Sequence, residues 1–187
     1  PVITSWVVVA LLFRNIFSNQ GLLNYFLMDV LHVTNDPIGW LSTRWPALTA
    51  TSLLGIWKGI GWNMVIFLAA LQAIPAEYYE AASIDGLNRR QQFFRITLPN
   101  IKGTILFSLV MLIIGAFNTY TPIMVMTGGN PAHQTEVVLT WLYYQTFSVS
   151  GKMGYAAALS FLVTAIISAL AVLLFKVFSP QKEERKS

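Results

Sequence analysis

Hydrophobic and polar positions alternate along this chain in long blocks. Apolar runs extend over about Leu48 to Leu71, Gly103 to Met124 and Tyr155 to Phe178, and each has the roughly 20-residue length that crosses a bilayer as a helix. An opening apolar run, Pro1 to Phe17, has neither the basic start nor the small-residue cleavage site of a signal peptide. It reads as a spanning helix cut at its amino end, so the chain is expected to be an amino-terminally truncated fragment. The expected fold is all-α, a polytopic membrane helical bundle forming a single domain over residues 1–187.

The polar connections differ in charge. The loop from Ser18 to Ala47 has Arg44 as its strong cation, beside Asp29 and Asp36, and the loop from Val125 to Gly154 has Glu136 and Lys152. The middle connection holds Arg89, Arg90, Arg95 and Lys102, and the tail holds Lys176, Lys182, Arg185 and Lys186. Lys and Arg concentrate on the cytoplasmic side of spanning helices, which places the middle connection and the carboxy terminus inside. Arg14, at the outer end of the first run, dissents. Outside, Gly21 to Val33 is expected to lie along the membrane surface as a short helix ending at the turn Thr34-Asn35-Asp36-Pro37. Gly128-Gly129-Asn130-Pro131 forms a second turn, and Trp40, Trp45 and Trp57 fit an interfacial belt.

Composition agrees with a bilayer. Only 11% of residues are charged and 55% are hydrophobic, with mean hydropathy +0.59, against about 25% charged in soluble domains. The net charge of +4 comes from cations at segment ends, not from one patch, so nucleic acid is not an expected partner. Absence of cysteine excludes disulfides, thiolate catalysis and cysteine-bound metals. No Gly-x-x-x-x-Gly-Lys-Ser/Thr loop exists to cradle ATP phosphates, and no Gly-x-Ser-x-Gly elbow or His-Glu-x-x-His metal motif appears. His32 and His133 stand apart and read as ordinary surface residues. No catalytic or metal site is expected in this chain.

The middle connection, residues 75–100, carries the most information. Pro75 precedes a helix in which Glu77 and Glu80 favour the positive end of the dipole. Ala81 and Ala82 promote helix and leave a smooth face, and Asp85-Gly86 stops the helix. A second short segment runs from Arg89 to Leu98, with Pro99 marking the next break. The residues alone leave two readings open: a solvated connector, or a docking surface framed by Tyr78, Tyr79, Phe93 and Phe94.

Glu80-Ala81-Ala82, Asp85-Gly86 and then Ile96, Leu98 and Pro99 resemble the EAA motif of permease subunits of binding-protein-dependent ABC importers. Met126-Thr127-Gly128-Gly129-Asn130-Pro131 with Thr135 and Glu136, Tyr143 to Phe147, Gly21 to Asn24 and Gly154 to Ala158 are similar to the first permease subunit of maltose-type and glycerol-phosphate-type systems. The resemblance implies a type I ABC importer transmembrane domain in a bacterial inner membrane. Its implied partners are a second permease, two ATP-binding subunits that hold ATP and Mg, and an extracytoplasmic solute-binding protein. It also implies that Glu80, Ala81, Ala82, Asp85 and Gly86 form the ATPase-coupling contact.

The substrate pathway is expected inside the spans. Lys58 lies well within the second run, where an ammonium costs about 3 kcal/mol and must find water, substrate or a partner helix. Snorkelling beside a Gly55–Gly59 packing notch is the open alternative. Asn118, Thr119 and Thr121 offer groups that meet sugar hydroxyls. By resemblance to the maltose permease, sugar-contacting positions map to Lys58, Gly59 and Trp62, and to Gly115, Ala116, Thr119 and Thr121. Lys58 keeps an anionic sugar open as substrate. A membrane scaffold or channel without an ATPase is the competing reading.

Overall fold

The computed structural model describes residues 1–147 and 151–178, so Lys182, Arg185 and Lys186 of the basic tail lie outside the described residues. The elements are α1 (Trp6–Ile16), α2 (Leu22–Tyr25) running into a π turn (Phe26–Val30), α3 (Arg44–Gln72), α4 (Ala76–Ile84), α5 (Arg89–Gln92), a second π turn (Phe93–Thr97), α6 (Leu98–Asn100), α7 (Lys102–Phe117), α8 (Thr121–Met126), α9 (Val138–Phe147) and α10 (Met153–Phe178). Among the described residues there is no strand. Two helices, Arg44–Gln72 and Met153–Phe178, are long and apolar enough to cross a membrane, and a bent pair, Arg89–Asn100 with Lys102–Phe117, is a third candidate. The chain is a membrane protein. It forms two compact units, one of Pro1–Trp62 with Gly115–Leu162, the other of Asn63–Ile114 with the described residues from Val163 onward.

The first unit holds the core. Val9, Ala10 and Phe17 of the opening segment pack with Ala50 and Leu54 of α3 and Met126 of α8. On α3 the buried residues Ala47, Ala50, Thr51, Leu54 and Lys58 recur at helical spacing and form one stripe. Ala10, Ala47 and Ala50 are fully buried, and such small side chains let helix backbones approach closely in lipid, where packing replaces the hydrophobic effect. A short helix follows Gly21 and loosens into the π turn. It is anchored by Asn24, only 1% exposed. The Asn24 amide donates to the carbonyls of Asn19 (3.0 Å) and Ile38 (2.9 Å), and Oδ1 accepts from Ile38 N (3.2 Å) and Trp40 Nε1 (2.9 Å). Trp40 is therefore bonded into the fold and also stacks edge-on against Phe17, in addition to any interfacial role. Arg14 donates to the Val125 carbonyl from the last turn of α1, the end of a helix that a cation suits.

The run Gly103 to Met124 is not one helix. α7 ends at Phe117 and α8 begins at Thr121 with Pro122 in its first turn. Pro122 has no amide to continue the ladder and its ring excludes a carbonyl four residues back, so the chain leaves the helix at Asn118 to Tyr120. The break after the middle connection falls at Ile101, two residues beyond Pro99, where the axis bends by 64°. Upstream, the π turn Phe93–Thr97 absorbs the missing Pro99 amide by lengthening its hydrogen-bond loops.

Candidate functional site: a helical turn and a broken helix

In the second unit, α4 and α5 form a helix–turn–helix held by its own side chains. Pro75 is the residue before α4, and Glu77 lies in its first turn. At the other end Gly86 takes φ +78°, the left-handed region. Its N–H donates to the Ser83 carbonyl (3.1 Å) and the Leu87 N–H reaches back to Ala82 (2.9 Å), the paired bonds of a Schellman stop. Asn88 then opens α5 with a reciprocal capping box. Asn88 Oδ1 accepts from Gln91 N (3.0 Å) and Gln91 Oε1 accepts from Asn88 N (2.9 Å). The signal for it, Asn-x-x-Gln, stands in the sequence but does not enter the expectations above.

Two polar clasps close the arms. The Tyr79 hydroxyl lies 2.8 Å from Thr97 Oγ1, and Gln92 Nε2 donates to Ser83 Oγ at 3.0 Å and to the Leu87 carbonyl at 3.1 Å. Tyr79, Ala82 and Ser83 share the inward face of α4, and Ala82 is buried there. Of the residues expected in the contact face, Ala82 is the buried one. Ala82 is small so that the hairpin can close, while Glu80, Ala81, Asp85 and Gly86 are exposed. Ile84, 88% exposed, stands beside them with Tyr78, Phe93 and Phe94. Arg89 and Arg90 occupy the first turn of α5, the end of a helix where cations are disfavoured.

In the first unit the residues expected to line a pathway behave differently from one another. Lys58 is 8% exposed, and its ammonium donates to the carbonyls of Pro1 (3.1 Å) and Thr4 and lies 4.9 Å from the Trp6 ring centroid. Carbonyl oxygens and a ring face satisfy a cation without a counter-ion. The cation is held by the opening segment of the chain. Within this chain a Cβ at Gly55 or Gly59 would meet nothing within 4 Å, whereas one at Gly61 would meet Pro1 Cβ at 3.0 Å. Trp62 is exposed on the same helix. On the other side, Gly115 and Ala116 are exposed in the last turn of α7, Thr119 Oγ1 donates to the Gly115 carbonyl (3.0 Å), and Asn118, Thr119 and Thr121 surround the break. Interrupted backbone at membrane depth occurs where it is buried in protein or lines a water-filled cavity.

His133 lies at the surface, as expected, but is not isolated. Its Nδ1 lies 2.8 Å from Glu136 Oε1, and its ring packs against Trp141 and Tyr144. Thr135 Oγ1 donates to the Asn130 carbonyl at 2.7 Å, tying the glycine turn to the same loop.

The profile of the binding-protein-dependent transport system inner membrane component matches residues 2–183. The chain belongs to this family. A probable ABC transporter permease protein, YesP of Bacillus subtilis, is 40% identical over 92% of the chain and 55% of its own length. The lactose transport system permease protein LacF of Rhizobium radiobacter is 32% identical over 94% of the chain and 59% of its own length. The chain thus spans somewhat more than half the length of these relatives. Among solved structures, a bacterial ABC transporter involved in the import of the acidic polysaccharide alginate superposes with a TM-score of 0.77. It is 24% identical over 94% of this chain and 61% of that one, which establishes the shared permease fold.

Proposed function

We propose that this family member is the permease subunit of an ATP-driven importer for a sugar or related solute in a bacterial inner membrane, with its carboxy terminus cytoplasmic. It provides part of the pathway and no catalysis. ATP and Mg are held by two partner ATPases, a second permease completes the membrane unit, and an outer solute-binding protein delivers the cargo. The observation that carries the reading is the self-closed α4–α5 turn. Its internal hydrogen bonds are made on one side, and Glu80, Ala81, Ile84, Asp85 and Gly86 are left exposed on the other. A connector meant only to be wet needs neither that closure nor the exposed apolar side chains. Sugar permeases among the relatives and the basic flanks of this turn support the substrate class and the orientation.

In this reading the turn moves as a unit when the ATPases close, and the bend at Ile101 passes the motion into α7 and towards the break at Asn118 to Tyr120. Lys58, Gly59 and Trp62 on α3, with Gly115, Ala116, Asn118, Thr119 and Thr121 around the break, contribute to the pathway. Lys58 does so by fixing α3 to the opening segment, since its charge is already satisfied.

Ala81→Trp in the assembled transporter tests the coupling. Ala81 is exposed, so a large side chain leaves the hairpin folded while blocking a docked surface. The expected result is normal membrane insertion with uptake lost and ATP hydrolysis no longer stimulated by loaded binding protein. Uptake at the wild-type rate would reject this face as the coupling contact.

A further inference from the structure

A second set of groups, assigned no part in the pathway so far, lies beside the break. Tyr120, Leu142, Tyr143, Thr146, Phe147 and Ser160 line an open hollow of about 370 Å³, at the lower end of the size range of small-molecule sites. Three of its rings form a continuous ladder: Tyr120 and Tyr143 have centroids 5.3 Å apart, and Tyr143 and Phe147 are 5.0 Å apart. Tyr143 and Phe147 are exposed. The ladder starts at the break itself, because Tyr120 is the residue that leads into α8. We infer that this hollow is a sugar-stacking station at the outer end of the pathway, selective for neutral saccharides. The inference rests on the sugar-permease reading and narrows its substrate class.

Two features separate a saccharide from a lipid chain or a bare helix contact. A pyranose presents a C–H face to rings and hydroxyls at its edge, and tyrosine supplies both a ring and a polar tip. Thr146 adds a hydroxyl whose proton is committed to the Leu142 carbonyl (2.8 Å), so its oxygen remains an acceptor for a sugar O–H. Among the described residues, no charged side chain lines the hollow. Lys58, the cation that left an anionic sugar open, is occupied by the carbonyls of Pro1 and Thr4 and the ring of Trp6. A uronate would therefore enter this station without a counter-ion, which a partly desolvated carboxylate does not tolerate.

These 187 residues hold no cysteine, so in a transporter whose other cysteines have been replaced Thr146→Cys places one reactive thiol in the hollow. The complete transporter, with partner subunits and binding protein in proteoliposomes, is treated from outside with a membrane-impermeant maleimide. Labelling is followed with maltotriose, lactose or arabinotriose as neutral probes and trigalacturonate as the anionic one. Occupancy at ten times Kd slows labelling about tenfold, expected for a neutral probe that is also imported and not for trigalacturonate. In parallel, Tyr143→Ala should raise half-saturation for uptake about tenfold while Tyr143→Phe leaves it near wild type. Protection by trigalacturonate alone would overturn the neutral assignment. Unchanged labelling while a neutral sugar is imported would overturn the station. A transporter that imports no saccharide but carries a solute of another class would overturn the sugar-permease reading beneath it.

Discussion

Substituting Gly86 separates the conformation of the coupling turn from the contact it is proposed to make. With φ at +78°, any L-residue with a Cβ is strained there, yet a Cβ at this position meets nothing within 4 Å. The cost of Gly86→Ala is therefore purely conformational, about 1–2 kcal/mol for a left-handed residue. At about 1.4 kcal/mol per tenfold, that raises the population of the uncapped turn roughly 5- to 30-fold. Asparagine tolerates the left-handed region through its own local hydrogen bonds, so Gly86→Asn should cost less. Hydrogen exchange of the segment 76–92 in the assembled transporter reads this directly, because the Gly86 and Leu87 amides close the Schellman bonds to Ser83 and Ala82. Exchange should accelerate in the Ala variant by that factor and much less in the Asn variant, with uptake ranking wild type, Asn, Ala. Wild-type exchange in Gly86→Ala would refute the strain argument. Equal damage from Ala and Asn would show that what matters is the absence of any side chain against a partner.

Two further outcomes concern the connection between α1 and α3 in the first unit. Asn24→Ala leaves the half-buried Ile38 N–H and Trp40 Nε1 without their acceptor. At about 1–3 kcal/mol for a buried group left unpaired, a loss near 3 kcal/mol is expected as faster thermal inactivation in detergent; an unchanged inactivation temperature would contradict it. Gly21→Ala puts a Cβ 2.3 Å from the Asn15 carbonyl and 2.4 Å from that of Ile16, both backbone atoms. Membrane yield of that variant should fall sharply, and normal yield would mean that the connection between α1 and α2 can open without cost.

Much of the architecture is readable because it is local. Asp85-Gly86 announces a helix stop wherever it occurs, and the structure places the stop there. The long apolar runs became α3 and α10, since length and hydropathy suffice to define a helix that lipid can surround. The split of Gly103 to Met124 escapes a hydropathy reading, because hydropathy is continuous across it; Asn118-Thr119-Tyr120 followed by Pro122 is the available signal. Asn24 stands out in the sequence only as part of a family-like string, because its partners Ile38 and Trp40 are distant in the chain.

The sequence alone, then, determined the long helices α3 and α10, the stop after α4 and the charge asymmetry on which the proposed sidedness rests: hydropathy, glycine and the distribution of Lys and Arg act over a few residues and need no partner. Tertiary structure decided what particular side chains are for. It turned Ala82 inward and Ala81 outward, gave Lys58 the carbonyls of Pro1 and Thr4, and aligned Tyr120 with Tyr143 and Phe147. Those outcomes depend on groups brought together only by folding, and pattern in one dimension carries no record of such distances.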